Sequence, residues 1–270
     1  MKVFAIMGSP RKGNSYKITQ LLEAKLKNCG AVDFEYLFLK DSHLETCRGC
    51  YNCILKGENF CPLQDDRLKI EEKMLSADGV IFVSPNYACG VTSLMKNFID
   101  RFAFIGHRPR FFNQYALAIA TSGGPVGLKQ TLYSLSYFAG GGFNFIKKIG
   151  IMTPPFPLPV KDAMKTERQI TITARQFYLA MKEKRRPSPT WSQIIQFRAF
   201  KGIYQSNERI GKEIFPADYQ YWTDKGWLNP KTDYYISPRL NVFKKMFGRC
   251  FEKIIRVYAK KMLSNNEPAG

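Results

Sequence analysis

Cys47, Cys50, Cys53 and Cys61 stand in C-x2-C-x2-C-x7-C spacing. Two-residue gaps turn successive sulfurs toward one centre, so four thiolates placed this way can wrap an iron–sulfur cubane. The same donors suit a structural zinc ion, although zinc sites usually pair two C-x2-C knuckles set well apart. A redox-active thiol pair, Cys50 with Cys47 or Cys53, and a cysteine-rich loop with no metal are the other readings. Cys29, Cys89 and Cys250 are isolated. His43 and His107 are the only histidines, which leaves little material for histidine acid–base chemistry or a multi-histidine metal site.

A second group lies in Met7-Gly8-Ser9-Pro10-Arg11-Lys12-Gly13-Asn14-Ser15, between an apolar run and an amphipathic one. Here backbone N–H groups, the Ser9 and Ser15 hydroxyls and the positive end of a helix dipole can face one anion, and phosphate is the natural guest. Gly8 and Gly13 have the spacing of a nucleoside-triphosphate loop, but Asn14 stands where the lysine belongs. The dinucleotide signature G-x-G-x-x-G is absent as well. A monophosphate site remains, with a ligand-free polar turn as its plain alternative, since helix starts attract such residues for capping.

Five apolar runs must position these groups: Val3 to Met7, Val32 to Leu39, Gly79 to Ser84, Tyr115 to Thr121 and Phe143 to Met152. Helical periodicity separates them from Ser15 onward (Ile18, Leu21, Leu22, Leu26), and over 66–76, 92–102, 128–138 and about 162–184. Near-continuous apolar strands alternating with amphipathic helices predict an α/β fold, a doubly wound five-stranded parallel sheet of order 2-1-3-4-5. Ligands of such sheets sit outside the carboxyl ends of the strands. The loop after the third strand, Ser84-Pro85-Asn86-Tyr87-Ala88-Cys89-Gly90-Val91-Thr92, offers a fixed proline and a flat ring. The loop after the fourth, Thr121-Ser122-Gly123-Gly124-Pro125, leaves backbone bare for a planar ligand.

G-S-P-R-K-G-N-S, S-P-N-Y-x4-T-S-L-M-K-N-F-I-D-R and T-S-G-G, in this order, resemble the flavodoxin-like NADPH-dependent FMN reductase family over about the first 185 residues. The resemblance implies bound FMN, with Ser9, Arg11, Asn14 and Ser15 on the phosphate. Pro85, Asn86 and Tyr87 would line the isoalloxazine, and Ser122, Gly123 and Gly124 would close over its other edge. The cysteine motif is similar to that of the iron–sulfur flavoprotein branch, in which a 4Fe-4S cluster exchanges electrons with FMN. NAD(P)H as donor and a homodimer are further implications. Asp100 and Arg101 match the motif too, and an ion pair at a helix end or a subunit contact accounts for them.

At 270 residues the chain exceeds one α/β domain by about 80. Expected are a flavodoxin-like domain over 1–186 with a cysteine-rich insertion at 47–61, and an extension over 187–270 that follows the break at Pro187-Ser188-Pro189. No run approaches the roughly eighteen apolar residues of a membrane span, nor a signal peptide, so a cytoplasmic protein is expected. The formal net charge of +19 concentrates between Arg239 and Lys261, where eight basic residues face one acid, Glu252. Trp191 to Tyr204 read as a helix with a wide apolar face, Tyr219 to Tyr235 as an aromatic, turn-rich piece. The last helix sets Phe243, Phe247, Phe251, Ile254 and Tyr258 on one stripe. Packing of that stripe onto the domain or a second subunit is the expectation, with contact to an anionic membrane as alternative. Nucleic acid is disfavoured because no recognition motif accompanies the charge.

Together these features predict an FMN-dependent oxidoreductase whose flavin does the chemistry and which needs no catalytic side chain. A redox partner or small molecule would accept the electrons. The alternative is a non-catalytic electron-carrier or redox-sensing flavoprotein without a cluster.

Overall fold

The computed structural model describes residues 1–206, 210–236 and 240–264. Arg239, the first of the eight basic residues counted above, lies outside them. The chain divides into two compact units. The first comprises Met1–Arg48, Leu63–Ala103 and Arg110–Pro187; the second comprises Gly49–Pro62, Phe104–Pro109 and Ser188–Gly270.

The first unit is a doubly wound, flavodoxin-like sheet. Strands β1 (Lys2–Met7), β2 (Asp33–Phe38), β3 (Gly79–Pro85), β4 (Tyr115–Ser122) and β5 (Asn144–Met152) pair in parallel in the order β2-β1-β3-β4-β5. The crossovers include helices α1 (Asn14–Lys27), α3 (Arg67–Ser76), α4 (Ser93–Arg101) and α5 (Leu128–Leu135), and α6 (Val160–Lys182) follows β5. The short α2 (Asn52–Leu55) belongs to the second unit.

The period of two along each strand sorts side chains to opposite faces. Val3, Ala5 and Met7 of β1, Ile81 and Val83 of β3, Leu117 and Ile119 of β4 and Ile149 and Ile151 of β5 form one buried layer. Leu22 and Leu26 of α1 and Ile170, Ala174 and Phe177 of α6 complete it. On the other face Phe82 stacks on Phe138 at 4.2 Å, and Phe138 in turn meets Phe98 of α4 at 5.3 Å. Truncating a buried phenylalanine such as Phe82 costs about 3–5 kcal/mol, so these rings contribute much of the unit's stability. The helix expected to reach Phe138 is α-helical only to Leu135 and tightens into 3-10 turns over Ser136–Gly141, where the sequence turns glycine-rich.

In the second unit α7 (Trp191–Ser206) packs on α9 (Val242–Ser264), with α8 (Pro216–Asp224) between them in sequence. The piece read as turn-rich is therefore helical at its start. Proline at the first position of α8 is compatible with a helix, and Trp222 is fully buried. Phe197, Trp222, Trp227 and Tyr235 form an aromatic cluster with centroid separations of 4.7 to 5.5 Å.

Candidate functional site: three loops at the carboxyl edge of the sheet and a cysteine segment

Parallel strands bring the loops after β1, β3 and β4 to one edge. Hydrogen bonds tie them together. Gly8 N–H donates to Val83 O (2.8 Å), and a Cβ at Gly8 would sit 2.8 Å from Met95 Cβ, so only glycine lets the first loop lie this close to α4. Thr92 Oγ1 donates to Gly8 O (2.6 Å) and accepts from Met95 N–H (3.2 Å), capping α4 while pinning the first loop. Ser15 Oγ and Thr121 Oγ1 share a buried hydrogen bond of 2.7 Å between the first turn of α1 and the end of β4. Asn86 N–H donates to Thr121 O (2.7 Å).

The start of α1 carries no side-chain cap. Its N-cap, Gly13, has no side chain and forms no capping bond, so the N–H groups of the first turn are left without a side-chain acceptor. Ser9 and Ser15 are buried beside it, Ser9 Oγ donating to Arg11 O (2.6 Å), while Arg11 and Asn14 are exposed on the same turn. Asn14 Nδ2 donates to Thr153 O (3.3 Å), and Thr153 N–H to Ser122 O (2.7 Å), so the segment after β5 joins the same edge.

Of the expected ring-lining residues, Asn86 spends its amide on the scaffold. Its Nδ2 donates to Ser122 Oγ (3.1 Å) and Val126 O (2.9 Å), and its Oδ1 accepts from Thr131 (3.3 Å). Pro85 ends β3 opposite Thr121. Tyr87 is half exposed at a tight turn closed by reciprocal Tyr87 and Gly90 backbone bonds of 2.9 and 3.0 Å. Ala88 and Cys89 both adopt positive φ (46° and 63°), the type I′ conformation that ordinarily selects glycine or asparagine. A Cβ on Gly123 or Gly124 would meet nothing within 4 Å, so open space adjoins this backbone. Sequence reasoning put Thr92 and Thr121 in the site loops but gave their hydroxyls no partner. A hydroxyl residue at the end of β4 and another before α4 are visible in the sequence, but hydroxyl pairing across 84 and 106 residues leaves no local pattern.

Cys47 closes the first unit's share of the cysteine segment. Its N–H donates to Asn97 Oδ1 (3.0 Å), and Asn97 Nδ2 donates to Leu44 O and Glu45 O (3.2 and 3.1 Å). Arg101, expected in an ion pair, makes one with Asp65 at 2.7 Å, both side chains almost fully buried, whereas Asp100 pairs with Lys96. The motif on α4 thus braces the residues leading to Cys47.

Cys50, Cys53 and Cys61 belong to the second unit, Cys50 exposed and the other two half-buried. Arg108, itself buried, holds their loop: it donates to Cys53 O, to Ile54 O (3.3 Å) and to Glu58 Oε2 (3.1 and 3.0 Å). Asp218 of α8 pairs with Arg108, with His107 Nδ1 (2.7 Å) and with Tyr204 OH (2.9 Å). Burial, then the Asp218 carboxylate, pushes the Tyr204 phenol upward, so it stays a neutral donor. Among the described residues no group of three or more His, Cys, Asp or Glu side chains stands ready to hold a metal ion. The donor set of four cysteines suits a cluster in kind.

The family model for NADPH-dependent FMN reductase matches residues 1–149. The chain belongs to that family. A protein named iron-sulfur flavoprotein from Archaeoglobus fulgidus is 28% identical over 234 residues, covering 84% of this chain and 100% of that one. Another of that name from Clostridioides difficile is 28% identical over 229 residues, covering 84% and 99%. These relatives place the chain in the iron–sulfur flavoprotein branch. The NAD(P)H:quinone oxidoreductase from Methanothermobacter marburgensis superposes with a TM-score of 0.52 at 16% identity, over 65% of this chain and 98% of that one, and so shares the fold.

Proposed function

We propose that this member of the FMN reductase family is an NAD(P)H-dependent flavin oxidoreductase that holds FMN across the three loops. The observation that carries the reading is the uncapped start of α1 beside the buried Ser9 and Ser15, bonded at Ser15 to Thr121 under the open backbone of Gly123 and Gly124. This chain's residues fit the group. The first-turn N–H groups, Ser9, Ser15, Arg11 and Asn14 would hold its phosphate. Pro85 and Tyr87 would flank the ring, Ser122 to Gly124 would lie along its other edge, and Asn86 would keep those two loops in register. FMN supplies the acceptance of hydride and the release of electrons; the protein binds it, orients it and limits access through Tyr87.

Cys47, Cys50, Cys53 and Cys61 are proposed as ligands of a 4Fe-4S cluster. Their spacing and the names of the relatives support this. Asn97 holds the Cys47 backbone and Arg108 the Cys53 backbone. The working form is proposed as a cytoplasmic homodimer over a 1–186 flavin domain and a 187–270 extension. None of the described helices is long and apolar enough to cross a membrane.

Steady-state oxidation of NADH and NADPH by the purified FMN-loaded protein, with a quinone or free flavin as acceptor, tests the enzyme reading. Sustained turnover is expected. Reduction only by a protein donor would replace the enzyme with an electron carrier.

A further inference from the structure

The stripe expected to pack onto the domain or a second subunit is largely exposed on this chain. Helix α9 meets α7 through a different face, at Gly248, Glu252 and Ile255: a Cβ at Gly248 would touch Arg198 and Ile194, and Gly202 of α7 lies against Glu252 O and Ile255. Roughly 130° around the helix, Phe243, Met246, Phe247, Ile254, Val257 and Tyr258 point outward, each between 45 and 72% exposed. Trp191 of α7, also exposed, extends this surface by an edge-on contact with Phe247 at 5.4 Å. Lys245, Lys253 and Lys260 run along one flank, all exposed. Arg249 lies in the same row and is paired with Asp233 at 3.0 Å. The one acid of α9, Glu252, is buried and consumed by Arg198 and Arg256. The outward surface of the helix is therefore apolar and cationic, with no acidic side chain of its own.

We propose that this face docks the protein on a membrane leaflet rich in anionic headgroups, with α9 lying in the plane of the interface. Charge decides between the two occupants an apolar stripe can take. An antiparallel second copy would set both lysine rows on the same side of the seam, where like charges repel. An anionic leaflet satisfies stripe and row together: aromatic and aliphatic side chains enter the acyl boundary while the lysines reach phosphates. The helix spans about 34 Å, and its seven basic residues keep it on the surface instead of across the bilayer.

The full chain is floated with vesicles of phosphatidylglycerol and phosphatidylcholine, and with phosphatidylcholine alone, at about 50 and about 500 mM salt. The expected partition onto anionic vesicles exceeds that onto neutral ones by roughly tenfold or more and falls at high salt. Ile254→Asp with Val257→Asp should abolish it, and Lys245→Glu with Lys253→Glu should weaken it by a similar factor, with circular dichroism unchanged because all four side chains are exposed. Equal partition on the two vesicles, no binding, or binding indifferent to Ile254→Asp and Val257→Asp would overturn the proposal. So would a wild-type dimer that the aspartate pair splits while vesicles capture nothing, which would assign the stripe to a second copy.

Discussion

Ser15 and Thr121 are 106 residues apart in sequence, yet their hydroxyls share a 2.7 Å hydrogen bond in the buried wall beneath the start of α1. That bond fixes the first turn of the helix against the end of β4, the two elements whose loops would take opposite ends of the flavin. Replacing Ser15 by alanine removes one neutral hydrogen bond, worth about 1 kcal/mol. Two consequences are separable. Thermal unfolding of the flavin-free protein should shift by a few degrees, and FMN affinity should drop by about tenfold more than that stability loss explains, because the phosphate loses a ligand as well. Fluorescence titration with FMN checks the second figure.

Two glycines of the site divide packing from binding. Gly8→Ala brings a Cβ to 2.8 Å from Met95 Cβ and 3.2 Å from Val83 O, and should destabilise the fold by about 1–3 kcal/mol. Gly123→Ala meets nothing within 4 Å and should leave the flavin-free melting temperature unchanged. Its FMN dissociation constant should nonetheless rise, since the methyl group fills space assigned to the ring. Unfolding and titration of both variants report the contrast; an unaffected FMN affinity in Gly123→Ala would remove Gly123 from the site, and a destabilised Gly123→Ala would contradict the open space beside it.

Arg108 and Asp218 form the hub of the second unit. Asp218→Asn leaves the buried guanidinium with less countercharge and should cost about 3–5 kcal/mol in urea unfolding. The loop of Cys53 should loosen with it, because Arg108 also holds Cys53 O and Ile54 O. Hydrogen exchange over 50–61 is expected to quicken in Asp218→Asn while exchange in β1, β3 and β4 stays unchanged. Uniform quickening through both units would contradict this.

Lys201 gives the second unit a pH dependence. It is fully buried, donating to Asn229 O and Thr232 O at 2.7 Å each, and burial lowers its ammonium to about 8 from an ordinary 10.5. Between these values the unfolded chain binds a proton that the folded chain does not, so stability rises with pH across that window. Below about 8 both states hold the proton and the penalty, at most about 3 kcal/mol, is fully present. Unfolding at a series of pH values from 7 to about 10.5 should show this rise. Lys201→Met should flatten it, whatever its effect on absolute stability.

Much of the first unit was legible because strands buried on both faces announce themselves as unbroken apolar runs, as Gly79 to Ser84 does. The three loops followed from that frame. The anchoring threonines were not legible, since Thr121 and Thr92 act on residues 106 and 84 positions away. The second unit was read less well. Arg108 sits in a short segment between α4 and β4, its partner Asp218 is 110 residues on, and α8 was masked as a turn by its proline and aromatic residues. On α9 the amphipathic period is legible, but the face that meets α7 is not the apolar stripe. Gly248, Ile255 and the paired Glu252 offer a close seam to α7 that hydrophobicity alone does not reveal.

The most direct test is anaerobic purification followed by the ultraviolet–visible spectrum and the content of FMN, iron, sulfide and zinc. Flavin bands with about four iron and four sulfide per FMN are expected, the iron lost and the flavin kept in Cys50→Ser. Flavin without iron, or with zinc in its place, would contradict the cluster assigned to Cys47, Cys50, Cys53 and Cys61. A protein that holds no FMN after reconstitution would contradict the three-loop site itself.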